Sequence, residues 1–258
     1  MIRSGLVSIT FRALSPRQIV DLVAQAGLAG IEWGGDVHVP HGDLRQARRV
    51  RHMTREAGLD VASYGSYYRV GVDGVGPFEP VVDTAVELGA PVVRVWAGDR
   101  PSADPDAAYR ARVVHESRSV ADLAGRAGVA VAYEFHPRTL TDANASARAL
   151  LQGVAHDNVG SYWQPPPGAS VPVNLAGLEA VLPWLRHLHV FTWHGVTGER
   201  LPLADGEEGW MQYLRKAVST RRDHSALIEF VRDDAPEAFL QDAATLRRWL
   251  SVVGESPV

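Results

Sequence analysis

Four polar residues end apolar runs that otherwise offer only packing surface: Glu134 in VAVAYEFH, Gln164 in NVGSYWQ, His189 in LRHLHVFTW and Glu229 in SALIEFV. A carboxylate in such a run needs a cation or hydrogen-bond donors to offset its desolvation. Two carboxylates, an imidazole and a carboxamide oxygen form a donor set for a divalent metal ion, with manganese, magnesium, cobalt and zinc all admissible. Glu134 and Glu229 would then also stand beside any bound carbonyl compound as proton acceptors and donors. Each residue alone has a plainer reading. Either glutamate could pair with an arginine, Arg94 or Arg232, and His187 or His189 could be a satisfied core histidine.

These side chains converge only if the elements carrying them sit side by side. One phrase recurs: Ala26-Gly27-Leu28, Ala57-Gly58-Leu59, Leu88-Gly89-Ala90 and Ala127-Gly128-Val129, with steps of 31, 31 and 39 residues between successive glycines. Each phrase follows a helical pattern and precedes an apolar run, so the glycine reads as the left-handed residue that closes a helix before a strand. The spacing is that of one strand-plus-helix unit. Strands are predicted at Leu6–Phe11, Ala29–Trp33, Val61–Tyr64, Val92–Trp96, Val129–Phe135, Val159–Trp163, Leu188–Trp193 and Ala226–Val231. A first helix follows Ser15-Pro16, an N-cap and a proline at the first helical position. Further helices are predicted near 45–57, 79–89, 104–127, 143–153, 174–185, 207–219 and 235–252. Eight strands alternating with eight helices predict an α/β fold, a parallel sheet closed into a (β/α)8 TIM barrel, as one domain over residues 1–258. An open doubly wound sheet is the alternative, but no glycine-rich phosphate loop follows the first strand. The loop from Ser161 to Val173, with Pro165-Pro166-Pro167-Gly168, is expected to lie stiffly over the barrel mouth.

In such a barrel the chemistry sits where strands end and loops begin. Candidate substrate contacts are therefore Glu32, Trp33 and His38 after the second strand, Tyr64 on the third, and Arg94 and Trp96 on the fourth. His136, Trp163, Trp193 and Arg232 follow from the fifth to the eighth. Strand alternation places Glu134 on a face with Ala130, Ala132 and His136, and His189 on a face with His187, Phe191 and Trp193. Trp33, Trp96, Trp163 and Trp193 are packing residues one by one; together they could wall a pocket for the C–H faces of a sugar.

Bulk properties narrow the remaining classes. The 258-residue chain is 46% apolar and 22% charged, an ordinary globular composition. A net charge of −4 argues against a duplex-binding surface. The basic stretch Arg45–Arg55 carries Ala47, Val50 and Met53 at helical spacing and reads as a solvated helix face. The chain has no cysteine, which excludes disulfides, thiolate nucleophiles and Cys-ligated zinc. No signal-peptide pattern opens it, and no apolar run approaches the ~20 residues needed to cross a bilayer. The expectation is a cytoplasmic protein with a small-molecule sugar substrate and neither nucleic acid nor membrane as partner. Homo-oligomerisation stays open.

The opening GLVSITFRALSPRQIVDLVAQAGLAGIEWGGDVH, then YEFH, HLHVFTW, LPLADGEEGWMQYL and LIEF, resembles in order and spacing the xylose isomerase-like TIM-barrel superfamily. That group includes sugar isomerases and epimerases, inosose dehydratase-type enzymes and DNA-repair endonucleases. The resemblance to its ketose 3-epimerases implies a divalent metal, often manganese, held by Glu, Asp, His and Glu. Glu134, His189 and Glu229 resemble the first, third and fourth of these. Gln164 stands where the family has Asp, and Pro167 where it usually has a substrate-contacting His. A neutral Gln ligand implies weaker metal binding. The endonucleases' three-zinc cluster, rich in His and Asp, has no counterpart in this acidic chain.

The function so implied is that of a metal-dependent sugar or cyclitol isomerase/epimerase working through an enediolate. One of Glu134 and Glu229 would remove the proton next to the carbonyl and the other would return it to the opposite face, while Glu32, Arg94 and His136 hold hydroxyls. A keto-sugar or inosose lyase or dehydratase using the same site is the alternative. A sugar-binding barrel without catalysis, for which Gln164 speaks, is the third reading.

Overall fold

The computed structural model describes residues 1–104, 106–166 and 168–255. Its barrel strands are β1 (Ile2–Val7), β2 (Gly30–Gly34), β3 (Asp60–Arg69), β4 (Val92–Trp96), β5 (Ala130–Tyr133), β6 (Val159–Trp163), β7 (Leu185–Val190) and, after a short β8 (Thr192–Trp193) and β9 (Arg200–Leu201), β10 (His224–Ile228). The helices between and after them are α1 (Pro16–Gln25), α2 (Leu44–Glu56), α3 (Glu79–Leu88), α4 (Ala107–Arg126), α5 (Asn144–Val154), α6 (Val171–Val181), α7 (Glu207–Val218) and α8 (Pro236–Glu255). The strands pair in the order β1-β10-β7-β6-β5-β4-β3-β2 and close into a parallel barrel. The open-sheet alternative is thereby removed. Among the described residues no helix is long and apolar enough to cross a membrane.

The sequence punctuation acts as read. Gly27, Gly58, Gly89 and Gly128 have φ of 66°, 73°, 75° and 72° and turn each helix toward its next strand. Ser15 forms a capping box with Gln18 at the start of α1. The basic stretch forms α2, which buries Ala47, Val50 and Thr54 and leaves its arginines outward.

Two apolar layers follow from strand alternation. The larger lies between barrel and helices, where Leu6, Ile31, Val93, Val131, Leu188 and Ile228 pack against residues such as Ile19, Val50, Leu150 and Phe239. The smaller fills the barrel interior with Val7, Ile9, Val92, Ala132, Tyr162 and Leu227. Above this plug the interior is polar.

Several elements depart from the sequence reading, among them the third strand, which runs Asp60–Arg69 and not Val61–Tyr64. The first strand is Ile2–Val7, not Leu6–Phe11: its ladder to β2 ends at Val7 opposite Glu32, and Ser8–Phe11 winds into a 3-10 turn. Ser8 Oγ accepts the Gly34 N–H at 2.9 Å and meets His38 Nδ1 at 3.0 Å, which fixes that turn across the end of β2. The seventh strand is Leu185–Val190; Thr192–Trp193 leaves the barrel and pairs antiparallel with Arg200–Leu201. The sixth helix begins at Val171 behind Ser170, with Pro172 in its first turn, and ends at Val181, where Leu182–Trp184 tightens into a 3-10 turn.

Asp242 of α8 is buried, and its Oδ1 accepts the Leu203 N–H at 2.8 Å in the loop before α7. Burial outweighs that hydrogen bond and the Arg232 charge and pushes its carboxyl up to about 6. A carboxyl raised on folding costs stability as pH climbs from its unfolded value through the folded one. Asp242→Asn keeps the acceptor without the charge. It is expected to be more stable than the parent above pH about 6, by on the order of 2 kcal/mol, and indistinguishable below about pH 4. Urea unfolding at pH 4, 6 and 8 measures this, and an equal difference at all three would contradict it.

Candidate metal centre and active site

The strand faces that point inward bring Glu32 (β2), Arg94 (β4), Glu134 (following β5), His189 (β7) and Glu229 (following β10) to the C-terminal end of the interior. One donor atom each from Glu134, His189 and Glu229 lies within 4.8 Å of the other two. His189 Nδ1 is 3.4 Å from Glu134 Oε1 and 3.3 Å from Glu229 Oε2. Gln164 completes the group: its Oε1 is 3.1 Å from His189 Nδ1, while its amide donates to the Phe135 carbonyl at 2.9 Å. That second bond fixes the carboxamide so that its oxygen faces the cluster.

Arg94 lies between two carboxylates. Its Nε is 3.0 Å from Glu32 Oε1, and its Nη1 donates to Glu134 Oε2. Trp96 Nε1 donates to the same Glu134 oxygen at 2.5 Å. Ser63 Oγ donates to Glu32 Oε2 at 2.7 Å. The Arg94 and Glu32 side chains are 2% and 0% exposed, so this pairing is made without water.

Charge follows from these contacts. Burial alone would raise Glu134 and Glu32, but the Arg94 charge, with His189, holds both carboxyls well below the usual carboxylate range. Burial would likewise disfavour the His189 imidazolium; Glu229 and Glu32 outweigh it and hold that group well above its ordinary value. Arg94 stays charged for the same reason.

The donor set fits a hard divalent cation. Three carboxylates face one guanidinium, so with a neutral imidazole two negative charges remain, the complement of a dication. His189 Nδ1 faces the cluster, while Nε2 lies 3.6 Å from Glu32 Oε1.

The remaining candidates divide by strand parity. Trp96 lies beside Glu134 and stacks on His136, with ring centroids 4.3 Å apart. Trp193 packs on Phe191 and Phe230 at the rim. Trp33, Tyr64 and Trp163 do not reach the mouth. Trp33 follows inward-facing Glu32 and so points to the helix layer, where it meets His38 edge-on. Trp163, following inward Tyr162, packs on Trp210 and Tyr213 of α7. The expected pocket of four tryptophans is therefore reduced to Trp96 and Trp193.

Tyr64 is turned outward by a bulge. The register passes from Ile31 opposite Val61 to Glu32 opposite Ser63, so Ser63 faces inward and the Tyr64 hydroxyl donates to the Val39 carbonyl. Both ring nitrogens of His38 are engaged, by Ser8 Oγ and the Leu14 carbonyl, which makes it a loop anchor. Arg232 is exposed beside Asp233 and pairs with neither glutamate. Pro167 lies outside the described residues.

One contributor escaped the sequence reading. Ser63 carries no signal, because only the bulge turns it inward. Tyr67 has φ 58°, rare for a bulky residue, and places its ring 5.0 Å from the Arg94 guanidinium and 5.2 Å from Trp96. Burial pushes its phenol up to about 12, so the hydroxyl keeps its proton.

Removing Arg94 would leave Glu32 charged, buried and uncompensated. Arg94→Met is expected to cost about 3–5 kcal/mol of stability, and adding Glu32→Gln to return most of it. Urea unfolding of the two single variants and the double variant checks the coupling; additive losses would refute it.

A family profile described as xylose isomerase-like TIM barrel matches residues 20–249. The chain is 25% identical to a 3-dehydroshikimate dehydratase of Bacillus anthracis, covering 96% of this chain and 98% of that protein. Among solved structures, the probable 3-DHS dehydratase involved in petrobactin synthesis from Bacillus anthracis superposes with a TM-score of 0.78, at 21% identity over 96% of this chain and 99% of the other. A xylose isomerase-like TIM barrel protein from Mycobacterium smegmatis in complex with magnesium gives 0.75, at 18% identity over 98% of each chain. A D-psicose 3-epimerase from Clostridium cellulolyticum H10 gives 0.72, at 13% identity over 98% of this chain and 99% of that one.

Proposed function

The chain belongs to the xylose isomerase-like TIM-barrel family, and from that premise we propose that it is a metal-dependent lyase that removes water from a polyhydroxylated ketone, beginning with the proton next to the carbonyl. The observation that carries this reading is the inequality of the two cluster carboxylates. Glu134 is engaged by the Arg94 guanidinium and the Trp96 indole, which depress its basicity. Glu229 meets only His189 among the described residues. One carboxylate without a guanidinium partner suits elimination by a single base; epimerisation calls for a base on each face. The likeness to a 3-dehydroshikimate dehydratase over nearly the whole chain points the same way.

A divalent cation on Glu134, Gln164, His189 and Glu229 would supply Lewis-acid polarisation of the substrate's oxygens. Glu229 takes the proton from the carbon next to the carbonyl, and the C–H electron pair moves toward the carbonyl oxygen. The pair then returns to form the C=C bond as the C–O bond on the neighbouring carbon breaks. The proton on Glu229 joins the departing hydroxide as water, which restores the carboxylate. Arg94 keeps Glu134 ionised throughout and holds it against the Trp96 indole.

Isomerisation or epimerisation is the second reading, favoured by Glu134 and Glu229 both lying in the cluster and by the epimerase neighbours. Protein freed of metal with a chelator and reloaded with manganese or magnesium, then given 3-dehydroshikimate or D-psicose in heavy water, separates the two. The lyase gives a product lighter by one water; the epimerase gives an isomer carrying deuterium. Glu229→Gln is expected to lower turnover by about 10²–10⁴-fold. Glu134→Gln should recover measurable turnover once the metal is raised to saturation. Equal and irrecoverable loss in both variants would remove the single-base assignment.

A further inference from the structure

A cavity of about 550 Å³ opens beside the candidate metal cluster and shares Gln164 with it, with Phe135 and His136 also in its wall. Proline and aromatic surface from Phe135, Pro101, Pro165 and Pro166 makes up much of its wall, and two polar groups without a full complement of partners stand in it. Arg138 is exposed on the wall and has no ion pair or hydrogen bond among the described residues. Asp142 gives Oδ2 to the Ser102 N–H at 3.1 Å, while its Oδ1 is buried without a partner.

The loop that presents Arg138 is fixed. Thr141 Oγ1 donates to the Glu134 carbonyl at 2.6 Å, and Thr139 Oγ1 to the His136 carbonyl at 2.7 Å. Arg138 itself has φ 60°, a left-handed conformation that a residue with a Cβ rarely adopts. Such backbone persists where the surroundings over-determine it, and it clusters at ligand sites. Thus a fixed loop that begins at Glu134 holds an uncommitted guanidinium over a cavity that Gln164 also lines.

We propose that this cavity is the distal subsite for the substrate and that Arg138 receives an anionic group there, a carboxylate or a phosphoryl group. The inference rests on the proposed chemistry at the metal cluster and adds to it the class of substrate: an anionic polyhydroxylated ketone. The anion lies toward Arg138, with Gln164 at the end of the cavity that borders the cluster. A planar guanidinium pairs with either anion through two hydrogen bonds.

The test is direct binding, by calorimetry, of three probes to the manganese-loaded protein: 3-dehydroshikimate for a carboxylate, D-fructose 6-phosphate for a phosphoryl group, and D-psicose for a neutral ketose. At least one anionic probe is expected to bind about tenfold or more tightly than D-psicose. Which one it is tells the two anions apart. Arg138→Asn, which tolerates the left-handed backbone, should abolish that preference, and Arg138→Lys should retain part of it. Equal binding of all three probes by the parent, or an unchanged preference in Arg138→Asn, overturns the subsite. Turnover is recorded separately: preference without turnover sinks the lyase reading and leaves the anion subsite standing, and turnover without preference does the reverse.

Discussion

The site depends on one buried guanidinium. Arg94 stands between Glu32 and Glu134 inside a cylinder that also holds an apolar plug, His189, Glu229 and Ser63. Without it, three carboxylates would share one water-poor volume with only His189 to offset their charge. With it, Glu134 is held well below the usual carboxylate range, while Glu229 pairs with His189. The unequal surroundings of Glu134 and Glu229 thus trace to one ion-pair geometry.

That geometry is built by parity more than by any one motif. In a parallel barrel every second side chain faces inward, so a single polar residue at a strand's C-terminal end is delivered to the same small space as its counterparts on the other strands. The bulge between Val61 and Ser63 shows how finely this is set. One extra residue turns Ser63 toward Glu32 and sends Tyr64 into the helix layer, exchanging a bulky phenol for a small hydroxyl beside a buried carboxylate.

Much of the architecture was legible because its signals are local. The helix-closing glycines, the Ser15-Pro16 start and the one-sided helices are short-range patterns with a single stereochemical reading each. The inward Glu134 and His189 were legible for a related reason, since alternation alone ties them to Ala132 and His187. Trp33 and Trp163 were misplaced by the same rule left unapplied: each neighbours a residue, Glu32 or Tyr162, that already occupies the inward face. The first strand was set too late because Arg3 and Ser4 look like a polar leader, although they pair with β10 at the far end of the barrel.

The amino-acid order by itself determined the alternation of strands and helices, the closed α/β fold and the short roster of acids, imidazoles and amide that could hold a metal. Those are consequences of periodicity and of the cost of a lone charge in an apolar run, and both can be read residue by residue. Only the folded chain decided which partner each acid takes, that Arg94 reaches two of them, that Arg232 reaches neither, and that Arg138 overlooks an adjoining cavity. Such pairings join residues tens of positions apart, and their distances depend on barrel register, a bulge and loop backbone angles for which a linear sequence holds no local signal.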